Sequence, residues 1–238
     1  MSNPSRLPAG SSARQVRAER ILDITADLLM AHGYRKVTID DVAGRAGVGK
    51  GTVYLHWKTR EALFWGVLQR EALRLFDHLL EALTKEPEMA LPHRLMRTIF
   101  MELTHRPLVK ALLLADPVLL GSLASDDSVR AAQQELAENT DLLKLLAEHD
   151  ALQPGLTPET AGYVLVNVTR GFLTAEELGQ DDGLDLEQRA DLLAHILRRS
   201  IEADAPIPEA VLTELNQQVV AMFGELAEAH RAQLRRSY

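Results

Sequence analysis

Apolar residues recur at three- and four-residue spacing along almost the whole chain, and no run alternates apolar and polar residues well enough to read as a strand. That periodicity restricts the fold to an all-α architecture. Ile21, Leu22, Leu28 and Leu29, with Ile24 and Ala26 between them, predict a helix from about Arg14 to His32, closed by Gly33. Thr38, three residues before Asp41, has the signature of a helix start, and that second helix runs to about Arg45 and stops near Gly47. A short third helix follows from Gly49–Lys50 to His56–Trp57. Thr59 then caps a long one carrying Leu63, Phe64, Val67, Leu68, Leu75, Leu79 and Leu83. Prolines punctuate the rest: Pro87 and Pro92 frame a break, Arg94 to Thr104 is amphipathic, and Pro107 and Pro117 open short segments. A long helix is predicted from Asp127 to about His149, a turn at Gln153-Pro154-Gly155, and further helices over 158–178, 186–203 and 208–235. An acidic loop joins the first two of these at 179–183, while residues 1–13 have little to bury and read as a flexible arm.

Composition narrows the functional classes. The chain has no cysteine, which excludes disulfides, thiolate catalysis and cysteine metal sites. No apolar stretch follows a basic start, so no signal peptide is expected, and the longest apolar run, Ala111 to Ala115, is too short for a membrane span. A cytoplasmic protein without membrane contact is the expectation. No nucleophile elbow, phosphate loop or histidine-rich metal pattern is present, so no catalytic residue, metal or cofactor is assigned. Glu102 and His105 have the spacing of a di-iron ligand pair, but no second such pair exists and they read as an ordinary helix surface. The net charge is −8, yet residues 1–58 carry nine Lys/Arg against five Asp/Glu, a net +4 that leaves −12 on the remainder. A basic head on an acidic body is expected where only the head meets phosphate.

Thr38 to Leu63 read as one helix-turn-helix unit. Ile39, Val42 and Ala43 form the inner face of its first helix, Val48 plugs the turn, Gly47 reverses the chain and Ala46 lets the helices cross closely. Val53 and Trp57 form the inner face of the second. Lys50, Gly51, Thr52, Tyr54 and His56 are then left pointing outward, a donor-rich surface of a size that fits a DNA major groove. Between Arg17 and Leu63 these residues closely resemble the DNA-binding region of the tetracycline-repressor (TetR) family. The resemblance is carried by His32-Gly33-Tyr34, Thr38, Val42-Ala43, Ala46-Gly47-Val48, Gly51-Thr52-Val53-Tyr54 and His56-Trp57-Lys58, with Trp57 where the family usually has Phe. It implies an all-α homodimer: a three-helix DNA-binding domain at 14–58, then a larger helical effector-binding and dimerisation domain at 59–238. It also implies that Thr38, Lys50, Gly51, Thr52, Tyr54, His56 and Lys58 lie at double-stranded DNA.

For the body the resemblance supplies an architecture rather than a motif. The helices 158–178 and 186–203 are the expected dimer seam, through Ala161, Leu165, Val168, Phe172, Leu192, Leu193, Ile196 and Leu197. Large apolar residues at Trp65, Phe76, Met96, Phe100, Met101, Leu113 and Tyr163 are candidates to line a pocket for a small-molecule effector of unknown identity. The helix 208–235 reads as an extension placed to cap the bundle. The resulting expectation is a repressor released from a palindromic operator by its effector. The alternative is a nucleoid-associated DNA-binding adaptor whose C-terminal domain docks a protein partner.

Overall fold

A computed structural model describes residues 13–127, 130, 134, 140–177 and 183–236. Of the expected arm at 1–13 only Ala13 is described, as the first residue of a helix, and of the expected acidic loop at 179–183 only Gly183; the rest of both lies outside the described residues. Every extended element among the described residues is helical, apart from a single antiparallel bridge between Leu152 and Glu202.

The first three helices are α1 (Ala13–His32), α2 (Ile39–Ala46) and α3 (Lys50–His56). They bury Ala18, Ile21, Leu22, Leu28 and Leu29 of α1 against Val42, Ala43 and Ala46 of α2 and Val53 of α3. The chain then enters α4 (Arg60–Lys85), where the Thr59 hydroxyl accepts the Ala62 N–H at 3.0 Å. At 26 residues this helix is about 39 Å long. Its two halves serve different cores: Leu63, Phe64, Val67 and Leu68 close the core of α1–α3, whereas Leu75, Leu79 and Leu83 belong to the core of the body.

The body continues with α5 (Pro92–Thr104), α6 (Pro107–Leu114), α7 (Pro117–Leu120) and a 3₁₀ turn at Gly121–Ser125. Three of these helices begin with proline, where the missing N–H costs nothing. The helix expected from Asp127 to His149 is interrupted. Thr140 is non-helical and α8 (Asp141–Glu148) starts afresh after it, so the apolar spacing of Leu142, Leu143, Leu145 and Leu146 belongs to a separate short helix. Next come α9 (Pro158–Glu177) and α10 (Leu186–Ile201), the latter opened by a capping box between Asp185 and Gln188.

The last helix, α11 (Glu209–Arg235), corrects an expectation. It lies antiparallel along α4 instead of capping a bundle. Asn216 donates to the Leu83 carbonyl at 3.1 Å, Phe223 stacks on Phe76 at 5.9 Å, and Arg231 pairs with Asp77. At its end Leu234 is buried in the same core as α1–α3. That core also takes in Leu108, Ala111, Leu120 and Leu123 from α6 to the 3₁₀ turn, so residues well beyond 58 help enclose the first three helices. No single helix among the described residues is long and apolar enough to cross a membrane.

Candidate nucleic-acid interface

Short-range devices set the angle between α2 and α3. At the start of α2 the Thr38 N–H donates to the Asp41 carboxylate at 3.0 Å, and the Asp41 N–H donates to the Thr38 hydroxyl at 3.2 Å. The Thr38 hydroxyl also donates to the Asp41 carboxylate at 2.6 Å, and this bond, seconded by the backbone one, holds the Asp41 carboxyl below its ordinary range. At the other end Gly47 takes φ +65, and its N–H reaches back to Ala43 and Gly44 while the Val48 N–H bonds the Ala43 carbonyl. Only glycine adopts that left-handed conformation without strain, so the reversal is written in one residue.

Inside, Val53 and Trp57 are buried. The indole fits because α4 carries glycine at 66: a Cβ there would stand 2.8 Å from Trp57 Nε1. Trp57 and Gly66 are therefore one packing solution, and a glycine in mid-helix otherwise costs about 1 kcal/mol relative to alanine. Arg70 on α4 is buried and bonds Asp23 at 2.7 Å, Glu71 at 3.0 Å and Glu19 at 3.4 Å, which clamps α1 to the long helix.

Six of the seven residues expected at DNA keep side-chain or backbone surface. Lys50, Gly51, Tyr54 and Lys58 are exposed, Thr52 is half-buried, and Thr38 is exposed while serving as the cap of α2. Lys50 is also paired with Asp40, an exposed contact worth little and easily exchanged for phosphate. His56 departs from expectation. Its ring is buried and packs 5.3 Å from Trp57, so it backs α3 instead of facing outward. Leu55, for which the sequence predicts no DNA contact, is 68% exposed on the same side of α3 as Tyr54 and Gly51. An aliphatic residue between Tyr54 and His56 gives no polar signal, yet such an exposed side chain suits contact with a thymine methyl.

In the body the expected effector residues do not gather in one place. Trp65 packs against the core of α1–α3, Phe76, Met96, Met101 and Leu113 are half-buried around the body core, and Phe100 is fully enclosed, edge-on to Phe172 at 6.2 Å. Tyr163 is 72% exposed and faces away from any interior. Among the expected seam residues, Ala161, Leu193 and Leu197 are fully buried in the protomer's own core, whereas Leu192 is exposed and Leu165, Val168, Phe172 and Ile196 are half-buried. The exposed face of α9 carries Tyr163, Asn167 and Gly171, and that of α10 carries Leu192 and His195.

A cavity of about 320 Å³ opens at the far end from α3, walled by Leu91, Ile207 and Leu212 and by the charged side chains of Arg94, Arg198 and Glu202. Glu202 is only 1% exposed. Its carboxylate accepts from the His93 backbone N–H at 2.9 Å, contacts His93 Nδ1 at 2.8 Å and pairs with Arg198 at 3.4 Å. No local pattern in the sequence marks this hub. Glu102 pairs with Arg106 at 2.8 Å and His78 at 3.2 Å, not with His105, and no cluster of three metal-binding side chains occurs among the described residues.

Residues 21–65 match the family model described as bacterial regulatory proteins, tetR family. The HTH-type transcriptional regulator AlkX of Mycobacterium tuberculosis is 30% identical over 165 residues, which cover 63% of this chain and 78% of AlkX. The HTH-type transcriptional repressor KstR of Rhodococcus jostii is 27% identical over 187 residues, 79% of this chain and 85% of KstR. Among solved structures, SmeT in complex with triclosan aligns with a TM-score of 0.65 at 21% identity, over 82% of this chain and 100% of SmeT.

Proposed function

The chain belongs to the tetR family of bacterial regulatory proteins, and we propose that it is a homodimeric repressor released from a palindromic operator by a small-molecule effector. Members of this family are DNA-binding transcriptional regulators, not enzymes. The observation that carries the finer reading is the outer face of α3: Lys50, Gly51, Tyr54, Leu55 and Lys58 stand exposed on a helix whose back is locked by Val53 and Trp57. Lys50 and Thr52 would meet base edges, Tyr54 and Lys58 phosphate, and the N-terminal turn of α2 the backbone alongside. His56 then serves as a packing residue. In this reading residues 14–58 are the reading head and 59–238 the effector-binding and dimerising body.

The repressor reading has the support of KstR, a transcriptional repressor. Dimerisation would use the outward faces of α9 and α10, where Tyr163 and Leu192 leave large apolar surface uncovered. Two heads about 34 Å apart would then match successive major grooves. The effector space lies best between α4, α5, α6 and α9, around the half-buried Met96, Met101 and Leu113, whose character suits an apolar ligand. SmeT, alike in fold, is seen with triclosan. Because α4 enters both cores, an effector that favours a different tilt of α4 changes the spacing of the heads. A differential affinity of about 5.5 kcal/mol between two states moves such an equilibrium from nearly all bound to nearly all released.

The test is to incubate purified protein with fragments of its own genome at about 150 mM salt and sequence what it retains. A few palindromes beside one or two operons support the local repressor, whereas scattered sites favour the adaptor. On a retained site, Lys50→Ala is expected to relax sequence discrimination and Tyr54→Ala to weaken all sequences alike. Wild-type behaviour in both variants would show that another surface binds DNA.

A further inference from the structure

Tyr34 stands in the turn between α1 and α2, and residues of the body enclose it. Its ring is 4% exposed. The hydroxyl donates to Glu61 Oε1 at 3.3 Å, and Ser122 Oγ, 2.8 Å away, completes its bonding from the 3₁₀ turn after α7. The Arg60 guanidinium lies 4.6 Å over the ring, and Phe64 meets it edge-on at 5.2 Å. Gly121 presses against the ring from the body side: it takes φ +56, and a Cβ there would come within 2.1 Å of Tyr34 Cδ1. The same turn is approached at Gly33, whose Cβ position lies 3.3 Å from the Val118 carbonyl oxygen.

Beyond the shared apolar core, two groups of polar contacts join the head to the body at separate places. The Arg70 clamp joins α1 to α4 along one line, about which a head held by that line alone could rock. The Tyr34–Gly121–Ser122 clasp is a second attachment, off that line and 88 residues away in sequence from its partner. We propose that Tyr34, held by Gly121 and Ser122, is a positioning residue for operator binding, which fixes the pitch of the head on the body and so the spacing of the two α3 helices. This rests on the dimeric-operator reading above. It assigns α6, α7 and the 3₁₀ turn a direct role in presenting the head, in addition to α4.

The experiment selects on half-site spacing. Half-sites recovered from the retained fragments are joined with the native spacer and with spacers one and two base pairs longer or shorter, and each is titrated with full-length protein. Tyr34→Phe keeps the ring and removes the hydroxyl, and Ser122→Ala removes its partner. Each is expected to reduce discrimination between native and altered spacers by about threefold to tenfold, the worth of one part-buried hydrogen bond. The double variant should go no further than Tyr34→Phe alone. Affinity for an isolated half-site should not change. Gly121→Ala, which forces the ring aside, should produce the largest loss of discrimination. If Tyr34→Phe and Ser122→Ala lower the melting temperature but leave spacer preference as in the wild type, Tyr34 is packing alone and the proposal is overturned. If the wild type itself retains no paired half-sites, the dimeric-operator reading fails first and takes this proposal with it.

Discussion

The reading head and the far end of the body are both fixed by polar contacts, but the contacts differ in reach. In the head and at its junction with α4, Thr38 bonds Asp41 and Thr59 bonds Ala62, each three residues apart, and Gly47 closes on Ala43 and Gly44. At the far end, Glu202 holds His93 across 109 residues, Gln153 reaches the Glu202 carbonyl across 49, and Asn216 reaches Leu83 across 133. The head's devices are exposed and order only one turn of chain, so each contributes modestly. The far-end hub centres on a buried carboxylate and joins α5, α10 and the segment 151–153, so its loss leaves the His93 N–H and the Arg198 guanidinium without that acceptor. A surface that must meet DNA in varied states is built from small local terms; the frame behind it depends on a few large distant ones.

The sharpest way to break this contrast is Glu202→Ala. It should cost about 3 kcal/mol in denaturant unfolding, because His93 and Arg198 lose a buried carboxylate. Operator affinity per folded molecule should hold. A loss below about 1 kcal/mol would place Glu202 with the head's modest contacts. Gly66→Ala tests the boundary between the two regions. In the wild type it should destabilise by about 1–3 kcal/mol as the new methyl meets Trp57. In a Trp57→Phe background the same change should be neutral or favourable, since helix propensity then decides. Equal costs in both backgrounds would separate Gly66 from Trp57. The smallest effect belongs to the cap: Thr38→Ala should cost about 1 kcal/mol at neutral pH. Because the fold lowers the Asp41 pKa, this contribution is present at neutral pH and fades as pH falls through that lowered value, under the ordinary 3.8. The stability gap between wild type and Thr38→Ala should therefore narrow in acid, leaving the part due to the Asp41 N–H bond, and a gap constant with pH would remove the Asp41 carboxylate from the cap.

The same difference in reach governs what could be read from residues. Caps and turns act within one helical turn, so Thr38, Gly47 and Thr59 disclose the edges of α2, α3 and α4 directly. Burial periodicity likewise separates Val53 and Trp57 from the outer face of α3. His56 escaped because the helix wheel leaves it at the margin, and only the packing of Trp57 decides that it turns inward. Leu55 escaped because exposure of an aliphatic residue carries no sequence mark. In the body, apolar spacing marked the inner faces of α9 and α10 but could not say which neighbour covers them. Ala161, Leu193 and Leu197 are covered by their own chain. Glu202, Arg70 and the Tyr34 clasp join residues whose partners lie far away in sequence, which no local pattern encodes.

The return of α11 along α4 has a consequence for the order in which the molecule is made. Leu234 fills a place in the core of α1–α3, although those helices are synthesised first and Leu234 among the last of the described residues. At roughly 5–20 residues per second, the head waits on the order of ten seconds for the side chain that closes its underside. A nascent chain therefore presents the reading helix before Leu234 is in place, and the core of α1–α3 is completed only when α11 has been made.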